Sequence, residues 1–253
     1  MALLDDKVKE SVRNFLSILK RDVKIIIFTK SEKDTVEQSN NNSQIDANIN
    51  KQVRNNAEES NQMIKCPTCK DANMLMEEII PLSDKISAEK YNFEIDKYKT
   101  EQFKVDKIPA FAIIGALDSS STQWKNYGIK FYGIPAGYEF TSFLDAIKLV
   151  SNGNSDLSQK TKDALKKITK PINIKIFVTL TCPYCPNAVM LANRFAVEND
   201  FITSEMIESA EFPHLANKYN VYGVPKVIIN ENIQFEGALP EDLFVEKILS
   251  SSG

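Results

Sequence analysis

Four cysteines occur in this 253-residue chain, and they fall into two pairs of identical spacing. The pairs are Cys66-Pro67-Thr68-Cys69 and Cys182-Pro183-Tyr184-Cys185. The thiolate is the reactive form of cysteine, and free thiols are mostly protonated at neutral pH. A cysteine placed at a helix N-terminus faces unpaired backbone N–H groups and the positive end of the helix dipole. Those groups favour the thiolate and lower the thiol pKa to about 3.5–7.5 in such motifs. A second cysteine one turn further on can reach back and resolve a mixed disulfide. Pro67 and Pro183 suit the first helical turn, where a missing N–H costs nothing. This reading makes Cys66 and Cys182 nucleophiles, with Cys69 and Cys185 as resolving thiols. The competing reading is a structural zinc site, which requires all four sulfurs about 2.3 Å from one ion.

The elements around the pairs must deliver each first cysteine to a strand-to-helix junction. Before the second pair, residues 172–179 form an apolar strand pattern; after it, Ala188, Leu191, Ala192 and Phe195 mark one helical face. Before the first pair, Val8, Val12, Phe15, Leu16 and Leu19 predict a helix over residues 6–20, and residues 23–29 a buried strand. After it, Ala72, Leu75, Met76, Ile79 and Ile80 predict a helix ending near Pro81. Strands are expected at residues 91–95, 109–116 and 129–133, with Trp124 in a polar loop, and a helix at 138–150. The second half reads as a helix at 157–169, strands at 172–179, 201–207, 224–229 and 233–237, and a closing helix at 240–249. Ser151-Asn152-Gly153-Asn154-Ser155 reads as a flexible polar linker. It sets the expected boundary between one unit at 1–150 and another at 151–253.

The order of elements repeats, and the spacing repeats with it. Cys66 and Pro109 are 43 positions apart, as are Cys182 and Pro225. A single shift of 116 superposes Ala72 on Ala188, Leu75 on Leu191 and Ile79 on Phe195. A lone pair of cysteines at this spacing is weak evidence; a duplicated unit with the same downstream proline is strong. Upstream of the cysteines the shift becomes 149, since Phe28 matches Phe177. The 33-residue difference sizes an insertion in the first unit, at about 30–65, rich in Asn, Gln, Ser, Glu and Lys. Its composition predicts a mobile segment.

Composition bounds the partners. The 31 basic and 34 acidic residues leave a net charge of −3, which argues against a general binder of nucleic acid or anionic membrane. No apolar run of about 18 residues suggests a membrane span, and the charged N-terminus lacks a secretory apolar region. A cytoplasmic location is expected, where short cysteine pairs signal redox or metal chemistry rather than a structural disulfide framework.

At this point the chain resembles the thioredoxin/glutaredoxin superfamily, whose glutaredoxins carry Cys-Pro-Tyr-Cys. Ile108-Pro109 and Val224-Pro225 are similar to that fold's cis-proline, which offers backbone groups to an extended substrate segment. More closely, residues 131–140 and 181–186 resemble the glutaredoxin-like protein disulfide oxidoreductases of thermophilic archaea and bacteria. That resemblance implies an α/β fold of two tandem thioredoxin-fold units, each a central mixed β-sheet flanked by helices. It implies thiol–disulfide exchange on proteins carrying thiols or disulfides: reduction, oxidation or isomerisation. It further implies a thioredoxin-reductase-like flavoenzyme as electron donor, no bound cofactor, and substrate contacts at Ile108, Pro109, Val224 and Pro225. The chain departs from the family in its Cys-Pro-Thr-Cys, its insertion and its lack of an obvious buried carboxylate beneath the active site. Cys182 is therefore expected to carry most of the catalysis. One alternative makes the N-terminal unit a catalytically idle binding platform; another is the four-cysteine zinc protein.

Overall fold

The computed structural model describes residues 3–30, 66–120 and 122–251. The insertion read at about 30–65 lies outside the described residues, apart from Lys30. Helix α1 (Asp6–Leu16) begins where the Asp5 carboxylate accepts the Val8 N–H at 2.8 Å, and it buries Val12 and Leu16. Strand β1 (Val23–Thr29) follows; only Lys24 among its residues is not buried. Helix α2 (Cys69–Ile79) buries Ala72, Leu75, Met76 and Ile79 and tightens into a 3-10 turn, Ile80–Leu82, at Pro81. The first half continues through β2 (Ile86–Asn92), α3 (Lys97–Phe103), β3 (Ala110–Ala116), β4 (Trp124–Tyr132) and α4 (Glu139–Asn152). The second half runs α5 (Gln159–Leu165), β5 (Ile172–Val178), α6 (Cys185–Glu198), β6 (Ile202–Glu208), α7 (Pro213–Lys218), β7 (Lys226–Ile229), β8 (Ile233–Glu236) and α8 (Glu241–Ser250).

Among the described residues, eight strands form one sheet in the order β2-β1-β3-β4-β6-β5-β7-β8. Each half contributes four strands in the same arrangement. A central strand pairs parallel with one neighbour and antiparallel with another, and an antiparallel hairpin strand completes the set. The halves meet at β4 and β6, which pair in parallel from Ile129 beside Ser204 to Tyr132 beside Ile207. Strand alternation divides the core between the two faces. Ile25 and Ile27 join the larger apolar cluster, with Phe131, Phe143, Phe195 and Phe244; Ile26 and Phe28 join the other, with Tyr132, Phe177 and Phe212. Both faces of the sheet are therefore covered, as parallel pairing requires.

Several sequence expectations shift. The strand read at 91–95 lies earlier, at Ile86–Asn92, because pairing with β1 sets its register. Trp124 opens β4 instead of sitting in a loop, and the Lys24 ammonium stands 4.4 Å from its ring centroid. The helix read at 157–169 is confined to Gln159–Leu165. The stretch read as a flexible linker is tied down. The buried Ser151 hydroxyl accepts from the N–H groups of Lys20 and Arg21, and the Ser155 hydroxyl donates to Glu198.

A charge pair fastens the seam. Lys130 and Glu205 face each other in register, 2.9 Å apart, with both side chains less than a tenth exposed. The Lys130 ammonium also donates to the Lys104 carbonyl at 2.8 Å. Removing one member leaves a buried charge unpaired, at a cost of about 3–5 kcal/mol. Glu205→Ala is expected to lower unfolding stability by about that amount in urea titration, and Lys130→Met combined with Glu205→Leu by distinctly less.

Candidate functional site: two cysteine pairs on a shared sheet

Each cysteine pair lies in the turn between the end of a central strand and the first residue of a helix. In the second half, β5 ends at Val178 and α6 begins at Cys185. Cys182 therefore precedes the helix rather than opening it, and its N–H donates to the Thr179 carbonyl at 3.1 Å. Cys182 and Cys185 form a disulfide with Cα atoms 5.5 Å apart. The Cys185 N–H, one of the unpaired donors of the α6 N-terminus, reaches the Cys182 sulfur at 3.1 Å. That donor would stabilise negative charge on Cys182 once the disulfide opens. The Val224 carbonyl stands 3.7 Å from the same sulfur, and the Val224–Pro225 peptide is cis. Tyr184, within the motif, is well exposed.

The first half has the same construction. Cys66 and Cys69 form a disulfide with Cα atoms 5.4 Å apart, and Cys69 is the first residue of α2. The Lys30 N–H, just past the end of β1, reaches the Cys69 sulfur at 3.4 Å. The Ile108–Pro109 peptide is cis. Ile108 and Cys69 share one apolar cluster, and Cys66 packs against it. Behind each cis-proline a glycine N–H closes onto the proline carbonyl: Gly133 onto Pro109 at 2.9 Å, Gly237 onto Pro225 at 2.8 Å. In each pair the first cysteine is the more accessible. Cys66 is half-buried against 4% exposure for Cys69, and Cys182 is 8% exposed against 0% for Cys185. That asymmetry leaves the first sulfur of each pair the one more open to approach. Among the described residues no group of three or more His, Cys, Asp or Glu could hold a metal ion, so the four sulfurs do not converge as zinc would need.

The seam brings each motif against the opposite half. Gly137, at φ +57°, lies so close to the second motif that an added Cβ would stand 2.3 Å from the Leu180 carbonyl. The Tyr138 N–H donates to that same carbonyl at 3.0 Å. Reciprocally, the Thr68 hydroxyl, inside the first motif, donates to the Glu211 carboxylate, which also accepts the Ile134 N–H at 2.7 Å.

A buried carboxyl that the sequence did not reveal is Glu139, next to Tyr138 at the start of α4. It is fully buried; Ser142 donates to Oε2, and Oε1 has no hydrogen-bond partner among the described residues. Burial pushes its carboxyl up to about 7. The strand leading to the second cysteine pair is apolar and carries no such group; Glu139 instead lies on α4, one residue after Tyr138, whose N–H bonds the Leu180 carbonyl. One signal was available: Glu139, Phe143 and Ala146 share the buried face of a helix. A carboxyl whose folded pKa is raised permits full stability below its ordinary value of 4.5, and that stability is lost as pH rises through about 7. Glu139→Gln is expected to flatten the decline in urea stability between pH 5 and 8 and to be the more stable protein at pH 8. An unchanged slope would show that the carboxyl is not held protonated.

The thioredoxin domain family matches residues 172–250. An NADH dehydrogenase of Bacillus subtilis is 31% identical over 186 residues, which are 74% of this chain and 32% of that protein. An alkyl hydroperoxide reductase component of Staphylococcus aureus is 37% identical over 103 residues, 41% of this chain and 20% of that protein. The chain thus spans about a third or less of the length of these curated relatives. A protein disulfide oxidoreductase of Aeropyrum pernix superposes with a TM-score of 0.78 at 27% identity, covering 99% of this chain and 95% of that one. An alkyl hydroperoxide reductase component of Enterococcus faecalis superposes with a TM-score of 0.74 at 20% identity, covering 99% of both chains; it shares the fold.

Proposed function

We propose that the chain is a tandem thioredoxin-like protein and, from that premise, a protein disulfide oxidoreductase working through both cysteine pairs, chiefly Cys182–Cys185. One observation carries this reading. Each pair sits at a helix N-terminus with the more exposed sulfur first, and Val224, beside a cis-proline, presents its carbonyl to the Cys182 sulfur.

In the reducing direction, the Cys182 thiolate attacks one sulfur of a substrate disulfide, and the other substrate sulfur leaves as a thiolate. Cys185 then attacks the Cys182 sulfur. The Cys182–Cys185 disulfide forms, and the second substrate thiolate departs. Two electrons pass to the substrate; run backwards, the same steps oxidise a dithiol. The Cys185 N–H favours the Cys182 thiolate in both directions. The deprotonation of Cys185 needs an acceptor. The substrate thiolate released in the first step can take that proton. The backbone at Ile108, Pro109, Val224 and Pro225 would pair with an extended substrate segment.

The substrates on this reading are proteins with accessible disulfides or thiol pairs, and the electron donor is a thioredoxin-reductase-like flavoenzyme. The names of the relatives, an NADH dehydrogenase and a component of a hydroperoxide reductase, support a reductase of that kind as donor. The intermediate exposure of Cys66 supports a working first site as well, against an idle N-terminal platform. In dithiothreitol-driven insulin reduction, Cys182→Ser is expected to lose on the order of tenfold activity and Cys66→Ser less. The double variant should fall to background. Full activity in the double variant would end this proposal, and complete loss in Cys182→Ser alone would favour the idle platform.

A further inference from the structure

Resting on the reading that Cys66–Cys69 is redox-active, we propose that Glu211 is a positioning residue through which the second repeat sets the redox poise of the first cysteine pair. Glu211 follows β6 and is held from three sides. Its own N–H donates to the Glu208 carboxylate at 2.7 Å, one of its oxygens accepts the Ile134 N–H at 2.7 Å, and the other accepts the Thr68 hydroxyl. Thr68 lies between the two half-cystines, directly before Cys69. The turn after β4 leaves no slack: a Cβ on Gly133 would stand 2.7 Å from the Glu211 carboxylate and 2.7 Å from the Glu208 Cβ.

The contact belongs to one site only. On the repeat's shift of 116 the partner of Thr68 is Tyr184, which is 68% exposed, and the partner of Glu211 is Ile95, which is 69% exposed. A carboxylate therefore touches the first motif and, among the described residues, has no counterpart at the second. Reduction of a cysteine disulfide ends with a thiol and a thiolate where the first sulfur is activated. An anion fixed on the intervening residue disfavours that thiolate and so favours the disulfide. The Thr68 hydroxyl partly offsets that charge by donating to it.

Two variants separate charge from bracing. Glu211→Gln removes the charge and keeps the hydrogen bonds, since its carbonyl can still accept from Ile134 and its amide can donate to the Thr68 hydroxyl oxygen. Thr68→Val keeps the charge and removes the donor that offsets it. The measurement is the equilibrium between glutathione and the Cys66–Cys69 pair, in the full chain with Cys182→Ser and Cys185→Ser. The protein dithiol and one glutathione disulfide exchange to the protein disulfide and two glutathiones. Glu211→Gln is expected to favour the dithiol about three- to tenfold, roughly 15–30 mV towards more oxidising. Thr68→Val is expected to move the equilibrium the opposite way. In the complementary background retaining Cys182–Cys185, Glu211→Gln should leave that pair unchanged.

Shifts of the same sign in both variants would make the contact a structural brace and overturn the assignment. So would no shift beyond twofold at Cys66–Cys69, or an equal shift at both pairs. A first pair that never exchanges with glutathione, whatever stands at 211, would instead remove the redox activity on which the inference rests.

Discussion

The parallel pairing of Ile129–Tyr132 with Ser204–Ile207 is the constraint on which the rest of this molecule depends. It joins two four-stranded sets into one sheet and gives each half's outer strand a partner, removing two edges that would otherwise be open to other chains. It also fixes where the connections beyond β4 and β6 emerge. The first carries Gly137 and Tyr138 to the turn before Cys182; the second carries Glu211 to Thr68. Lys130 and Glu205 hold this register with a buried ion pair. A slip of one residue between the strands would put the two side chains on opposite faces of the sheet.

Around that seam the two sites share a backbone plan and differ in side chains. Strand end, cysteine turn, helix N-terminus and cis-proline recur in both halves, but the Cys185 N–H points to the Cys182 sulfur whereas the Cys69 N–H bonds the Cys66 carbonyl at 3.4 Å. The second motif has an exposed tyrosine between its cysteines, and the buried Glu139 follows directly on the residue that bonds its turn; the first has a threonine bound to a carboxylate. Thiol–disulfide exchange responds steeply to such local charge, because a shift of about 30 mV is already tenfold in equilibrium constant. A duplicated fold can in this way carry two sites of unequal poise.

The duplicated unit was legible in the sequence because it is carried by local signals. Two cysteine pairs, two prolines at one interval and helical faces on one shift are each visible within a short window, and the structure places all of them in equivalent positions. The fold followed from them together with the family resemblance. The less legible parts are non-local. Pairing with β1 decides where β2 begins, and pairing with β3 extends β4 back to Trp124. Glu139 looks like an ordinary charged residue until the packing of α4 buries it, and Glu211 until the seam brings the halves together. The polar run after α4 reads as a linker in composition, yet the Ser151 and Ser155 side chains use their hydroxyls to bind across the fold.

The most direct measurement is trapping of the exchange intermediate. With Cys69→Ser and Cys185→Ser in one full-length chain, Cys66 and Cys182 remain without resolving partners. On incubation with a disulfide-containing peptide, mass spectrometry should find the peptide joined through a mixed disulfide to Cys182, and to Cys66 in smaller yield. A protein that acquires no peptide at either sulfur, while remaining folded, would contradict thiol–disulfide exchange at these sites.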